Sequence, residues 1–323
     1  ISNNFRNISL IDSSITQLFL NSDYKIVNLE TPLTSAGAEH KIVKTGPHLC
    51  SSERTMLPYL KKLKIDMVTL ANNHILDYGA KGLKNTIDAL KSCQINYVGA
   101  GMNLKDAAAP FSIDCDGIRI AILNFTENEW SIAEENKPGA NPLNIIDNLN
   151  YIKAARAVHD KVICIIHGGH EFYNLPSPRM LKQYHFYAEQ GADAIVGHHT
   201  HCIGGFEIYK NVPIIYSLGN FLFTLTSKNE EWYTGLLAEL TINKENSIKF
   251  KLLPIRQRKE NFEVYLLKEE KSAAVMRQIK EINKTILNRD NLQESWLNYI
   301  QKNTSQYLNT LSFTNGIGNY YVR

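Results

Sequence analysis

Three of the chain's ten histidines stand within five residues, Gly197-His198-His199-Thr200-His201, directly after the apolar run Ala194-Ile195-Val196. The same pattern, an apolar run ending in metal-competent groups, recurs three times. Ile26-Val27 leads into Asn28-Leu29-Glu30, Val68-Thr69-Leu70 into Ala71-Asn72-Asn73-His74, and Ile163-Cys164-Ile165-Ile166 into His167-Gly168-Gly169-His170-Glu171. Carboxylate, carboxamide and imidazole together form a mixed oxygen and nitrogen donor set suited to Mn, Fe or Zn, with no thiolate among them. A single histidine at a strand end is ordinarily a satisfied polar residue. The His199-x-His201 pair is more specific, because two imidazoles one residue apart can converge on adjacent ions. The joint occurrence at four strand ends points to a metal site, and Gly168, Gly169 and Gly197 allow close backbone approach.

The elements that must position these groups alternate between short strands and amphipathic helices from about residue 15 to residue 253, the signature of an α/β fold. Strands are expected at 25–29, 67–71, 118–125, 162–166 and 194–196, most of them apolar throughout, as strands buried on both faces are. Leu83, Ile87 and Leu90 mark a helix that starts after Tyr78-Gly79 and stops near Ser92; another runs from Pro178 to Gln190 and ends at Gly191. Strands at 206–209, 212–218, 236–242 and 248–253 are joined by short polar turns, which predicts antiparallel pairing. Beyond about residue 268 the pattern is helical only. Val275, Ile279, Ile282 and Ile286 form one stripe; Asp290 and Gln293 read as a capping box before a second stripe of Leu292, Trp296, Leu297 and Ile300. Residues 1–267 are therefore expected to form the main domain and 268–323 a helical extension. Open α/β sheets bind ligands at the C-terminal ends of their strands, which is where the polar groups fall.

The formal charge of +3 on 323 residues, with no basic block, gives no footprint for nucleic acid or an anionic membrane. Five widely spaced cysteines without a CxxC pair read as reduced thiols. They favour a soluble, cytoplasmic protein; association with the cell envelope stays open, because the chain begins at Ile1 without an initiator Met. No transmembrane stretch is expected, since none approaches the roughly 20 apolar residues of a spanning helix.

Five ordered motifs resemble one family: "NLETPLT" (28–34), "LANNHILDYG" (70–79), "HGGHEF" (167–172), "GADAIVGHHTH" (191–201) and "IIYSLGNFLF" (214–223). They are similar to the bacterial capsule-synthesis (CapA, poly-γ-glutamate synthesis) family of the calcineurin-like metallophosphoesterase fold, over roughly residues 8–255. The resemblance implies a four-layer α-β-β-α sandwich of two mixed sheets and two divalent ions at one edge. It implies that Glu30 bridges the ions, that Asn73, His167 and His199 bind the second, and that His201 binds the first. It further implies that His74 contacts the substrate and protonates the leaving oxygen, with Asp77 orienting it. Two ions about 3.5–4 Å apart would activate a bridging water and clamp the group under attack. The family also opens with a strand ending in Gly-Asp, whose Asp is a ligand of the first metal. No Gly-Asp precedes Glu30, and Asp12, just before a helical pattern, reads as an N-cap. The expectation is that this strand lies outside the present sequence.

Lys44 in "KTGP" is a candidate contact for an anionic substrate, small or polymeric. His170 and Glu171 are read either as cleft residues or as solvated loop residues; His198 is expected to point away from the metals, and Asn220 to tie a loop. Three functions follow: a metal-dependent hydrolase of the phosphoesterase type linked to capsule or poly-γ-glutamate biosynthesis, a non-catalytic accessory protein of that assembly, or a metal-dependent γ-glutamyl amide hydrolase. Oligomeric state is not legible.

Overall fold

A computed structural model describes residues 10–311 except residue 246. The first half of the chain runs α1 (Ser13–Leu20), β1 (Ile26–Asn28), α2 (Glu53–Lys62), β2 (Met67–Thr69), α3 (Gly79–Ser92), β3 (Asn96–Val98), β4 (Ala100–Gly101) and α4 (Leu104–Ala108). It continues through β5 (Phe111–Cys115), β6 (Ile118–Thr126), β7 (Gly139–Ala140), α5 (Ile145–Val158), β8 (Lys161–His167), α6 (Pro178–Glu189) and β9 (Ala194–His198). The remainder is β10 (Phe206–Tyr209), β11 (Val212–Ile215), β12 (Thr234–Thr241), β13 (Lys249–Gln257), β14 (Val264–Leu266), α7 (Glu269–Leu287) and α8 (Arg289–Leu311).

A six-stranded mixed sheet, ordered β10-β11-β9-β8-β6-β5, is the backbone of the molecule. Its inner strands are parallel and apolar because both faces are covered. Alternation decides which side chain goes where. On β6 and β8, Leu123, Phe125, Cys164 and Ile166 pack under the helices with Tyr184 and Tyr187, while Ile122, Ile163 and Ile165 face the opposite layer with Met67 and Val98.

That opposite layer consists of two three-stranded sheets, parallel β1-β2-β3 and antiparallel β12-β13-β14. On their outer side lie α1, α2 and α3, whose Ile15, Leu60 and Leu83 share a core with Leu29 and Leu70. The result is the expected sandwich of helices, two β layers and helices. Between β1 and β12 the second layer is parted by an apolar groove of about 450 Å³, lined by Ile26, Val27, Leu237 and Ala238.

Asp12 caps α1 as expected, its carboxylate accepting from Ser14 N at 2.8 Å. The expected capping box at Asp290 and Gln293 is not formed. Asn288 takes that role, with its Oδ1 accepting from the backbone of Asp290 and Asn291 at 3.1 Å each, because α8 starts at Arg289. In the first stripe of the extension, Ile279, Ile282 and Ile286 are buried, each contributing on the order of 1.5–3 kcal/mol. The second stripe is not: Leu292 is buried, but Leu297 and Ile300 are exposed. No helix among the described residues is long and apolar enough to cross a membrane.

Candidate metal centre

Two in-register sheets bring the strand ends to one edge. In the six-stranded sheet His167, the last residue of β8, lies beside His198 of β9, which delivers His199 one residue further on. In the facing layer Asn28 pairs with Thr69, so the turns after β1 and β2 carry Glu30 and Asn73 to the same place. Here His167 Nε2 is 3.1 Å from Asn73 Oδ1, 3.1 Å from His199 Nδ1 and 3.6 Å from Glu30 Oε1. Ligand atoms of Glu30, His167 and His199 all lie within 4.8 Å of one another.

The backbone bends to achieve this. His199 and His201 have φ of 101° and 54°, left-handed values that side chains adopt at a cost and that cluster at functional sites. Gly197 has no room for a Cβ, which would run into the Tyr216 carbonyl just past β11.

Burial sets the protonation of the group. It drives His167 well below the ordinary imidazole value, and it drives His199 down to about 3, with the neighbouring His201 adding to the effect. Both are neutral donors near pH 7, as ligation requires. Burial also raises Glu30 to about 7. Its Oε1 is buried without a hydrogen-bond donor among the described residues, while two imidazole nitrogens face it, from His167 and, at 3.8 Å, from His201. A buried carboxylate oxygen opposed only by acceptor-capable nitrogens is what a divalent cation satisfies, so the donor set fits a metal.

Beside this group, His74 Nδ1 lies 2.7 Å from Asp77 Oδ2, and Asp77 is in turn fixed by Leu49 N at 2.6 Å. The carboxylate holds the proton on Nδ1 and directs Nε2 elsewhere. Lys44, the candidate contact for an anionic substrate, stands in the wall of a cavity it shares with His74. Its side chain is 1% exposed, pairs with Asp77 Oδ1 and reaches to 3.2 Å from His74 Nδ1, because Asp77 is fully buried and needs a countercharge. His201 stands on the other side of Glu30, its Nδ1 2.8 Å from Asn220 Oδ1, and Asn220 donates to the Trp232 carbonyl at 3.0 Å. The loop-tying role expected of Asn220 is thus exercised on a metal candidate. His198 stays outside the group and lines the groove between β1 and β12.

A cleft of about 1000 Å³ opens from Asn73, His74 and His199. His170 and Glu171 both line it, as one of their two sequence readings required. Sequence reasoning missed three features. Asn28 contacts Glu30 Oε2 at 3.4 Å, Glu127 lines the cleft, and α8 reaches it through Tyr299, Lys302 and Asn303. Only Asn28, inside the first motif, carried a signal.

The fold is similar to a solved structure, that of a hypothetical protein from Thermus thermophilus, with a TM-score of 0.50 at 12% identity over 76% of this chain and 92% of that one. The likeness supports an α/β sandwich as the fold of this molecule. Residues 7–225 match the family described as bacterial capsule synthesis protein PGA_cap, and the chain belongs to that family. It is 38% identical over 210 residues to the capsule biosynthesis protein CapA of Bacillus anthracis, a match covering 63% of this chain and 51% of that protein. It is 31% identical over 247 residues to the PGA biosynthesis protein CapA of Bacillus subtilis (strain 168), covering 75% and 63% respectively. A probable polyglutamine synthesis accessory protein of Mycobacterium tuberculosis is 29% identical over 260 residues, 73% of this chain and 66% of that protein. The match thus spans between half and two thirds of these relatives' length.

Proposed function

We propose that the protein is a metal-dependent hydrolase acting on an anionic ester or amide of capsule or poly-γ-glutamate biosynthesis. The observation that carries this reading is the buried, donor-less Glu30 Oε1 facing His167 and His201, with the His74–Asp77 pair at the mouth of the cleft. Glu30, Asn73, His167 and His199 would hold one divalent ion, and Glu30 with His201 a second. A pair of such ions supplies an activated water and charge stabilisation at the group under attack.

The chain's own residues do the rest. The neutral imidazoles of His167 and His199 stay available as donors because burial suppresses their protonation. Asp77 keeps the Nδ1 proton of His74 in place, and Lys44 balances the Asp77 charge so that the carboxylate remains an acceptor. His74 Nε2, at the cleft, hands a proton to the leaving oxygen or nitrogen. For the His201 side we propose that an extended segment bearing a carboxylate lies in the groove between β1 and β12, which ends at Glu30 and His201.

Metal analysis combined with a panel of phosphomonoesters, phosphodiesters and γ-glutamyl peptides tests the reading on wild type and His74→Ala. Metal-dependent turnover that His74→Ala lowers about a hundredfold or more is expected. A protein that binds no transition metal, or a His74→Ala variant with unchanged turnover, overturns it. The name of the mycobacterial relative favours one second reading, an accessory protein that holds polymer without cleaving it; metal binding with no turnover of any substrate is its signature.

A further inference from the structure

We infer that Phe172 is a stacking platform for the substrate and that the cleft around it takes an uncharged, hydroxyl-bearing ring, a hexopyranose, next to the group presented to the metal candidates. The inference deepens the proposed function and rests on it for the identity of the site.

Phe172 costs the fold twice. Its backbone is left-handed, with φ of 59°, a conformation that side chains adopt only under constraint. Its ring stays 40% exposed in spite of its size. A lone apolar residue on an ordinary surface needs no explanation, but this one lines the cleft together with His74 and His199. The constraint comes from both sides of its loop. The Phe172 N–H donates to the Thr200 carbonyl at 2.7 Å, and Thr200 stands between His199 and His201. Toward α8, His170 packs on Trp296 with ring centroids 4.9 Å apart, and Tyr173 packs on Tyr299 at 4.3 Å. The Phe172 ring itself touches His201 and Trp232, each at 6.2 Å between centroids. A ring clamped in this way is a fixed apolar surface beside the metal candidates, which is how ligand sites use aromatic side chains.

The surroundings select the chemistry of what lies on it. Glu127, Glu129 and Glu171 line the cleft with Arg179, Lys302 and Asn303, while Lys44 is committed to Asp77. Acids and cations nearly balance, so a polymer of either sign would meet like charges about as often as opposite ones. The same set both accepts and donates hydrogen bonds, which matches hydroxyls, each of them donor and acceptor at once. Glu127 directly follows β6 as a further polar strand end. Its N–H donates to the His167 carbonyl at 3.0 Å, and its carboxylate accepts from the Gly169 N–H. Tyr184, only 1% exposed, lines the same cleft, and its hydroxyl has no hydrogen-bond partner among the described residues. An apolar chain or an unsubstituted aromatic ring would cover these groups and leave them unpaired. A pyranose lays its C–H face on Phe172 and turns its hydroxyl edge to them.

Saturation-transfer-difference NMR of the full chain tests this with methyl glycosides of glucose, galactose, mannose and N-acetylglucosamine, and with open-chain glucitol. These probes are uncharged and require no turnover. At least one glycoside is expected to bind, with saturation strongest on the protons of one ring face, and at least about fivefold more tightly than glucitol, which has the hydroxyls but no ring. Phe172→Gly removes the ring and suits the left-handed backbone, so it should keep the thermal midpoint of wild type and lose about tenfold in affinity. Phe172→Trp should retain binding. No binding of any of the four glycosides by wild type, equal affinity for glucitol, or unchanged affinity in folded Phe172→Gly would overturn the inference. Turnover of bis(p-nitrophenyl) phosphate by wild type and His74→Ala is measured in parallel. Absence of that activity counts against the hydrolase reading, while the glycoside titration still decides the role of Phe172.

Discussion

The two sides of Glu30 are built unequally. Toward His167 the chain supplies Asn73, His199 and the carboxylate itself from separate strand ends, packed close around one imidazole nitrogen. Toward His201 it supplies one imidazole, tied back by Asn220 and bordered by an apolar groove. A site assembled from in-register strands is complete wherever all its strands are present, and is only as good as its weakest edge where two sheets part. The His167 side is therefore expected to bind metal by itself, and the His201 side to depend on whatever occupies the groove.

The strongest way to break this contrast is to remove a ligand from the fuller side. His167→Ala is expected to lower metal affinity by more than about a hundredfold, read by titration with Mn or Zn and elemental analysis. Retained stoichiometric binding would dissolve the distinction between the sides. His201→Ala is expected to leave one tight ion per chain and to affect only a weaker second one, a smaller change on the same titration. Loss of both ions together would show the two sides to be one cooperative site.

A third test uses pH. Glu30 is raised from the ordinary carboxylate value to about 7 by burial, so the metal-free folded protein holds a proton there that the unfolded chain has released above about pH 4.5. That contribution to stability is present below pH 4.5 and is lost as pH rises to 7. Metal-free Glu30→Gln should therefore gain stability relative to wild type on going from pH 5 to pH 8, by about 3 kcal/mol at most, measured by urea unfolding at each pH. His199 acts with the opposite sign. Held down to about 3, it stabilises the fold increasingly as pH rises from 3 to 6.5, so the comparison with Glu30→Gln isolates the carboxylate. The smallest effect is expected at the link to the weaker side. Asn220→Ala should cost about 1–3 kcal/mol through the unpaired Trp232 carbonyl and loosen the second ion several-fold, while the first stays unchanged.

Much of this was legible because it follows from local periodicity. Apolar runs ending in Glu30, Asn73, His167 and His199 announced both the strands and the groups at their ends. The N-cap at Asp12 and the start and stop of α3 were equally local. Two features were not legible, for nonlocal reasons. Lys44 reads from the sequence only as a contact for an anionic substrate, and it is the approach of its loop to a fully buried Asp77 that gives its charge a partner. In α8, Leu297 and Ile300 looked like core, but the helix docks through Trp296 and Tyr299 on His170 and Tyr173, more than a hundred residues away in sequence.

By itself the sequence determined which side chains could ligate and that each would sit just past the end of a strand, since alternation and apolar length are properties of short segments. Only the tertiary structure decided which of them stand together, that Asp77 restrains His74 and neutralises Lys44 at once, and that α8 closes one wall of the cleft. Those outcomes depend on strand register and on packing between distant segments, which act over a few ångströms in space and leave no period in the chain.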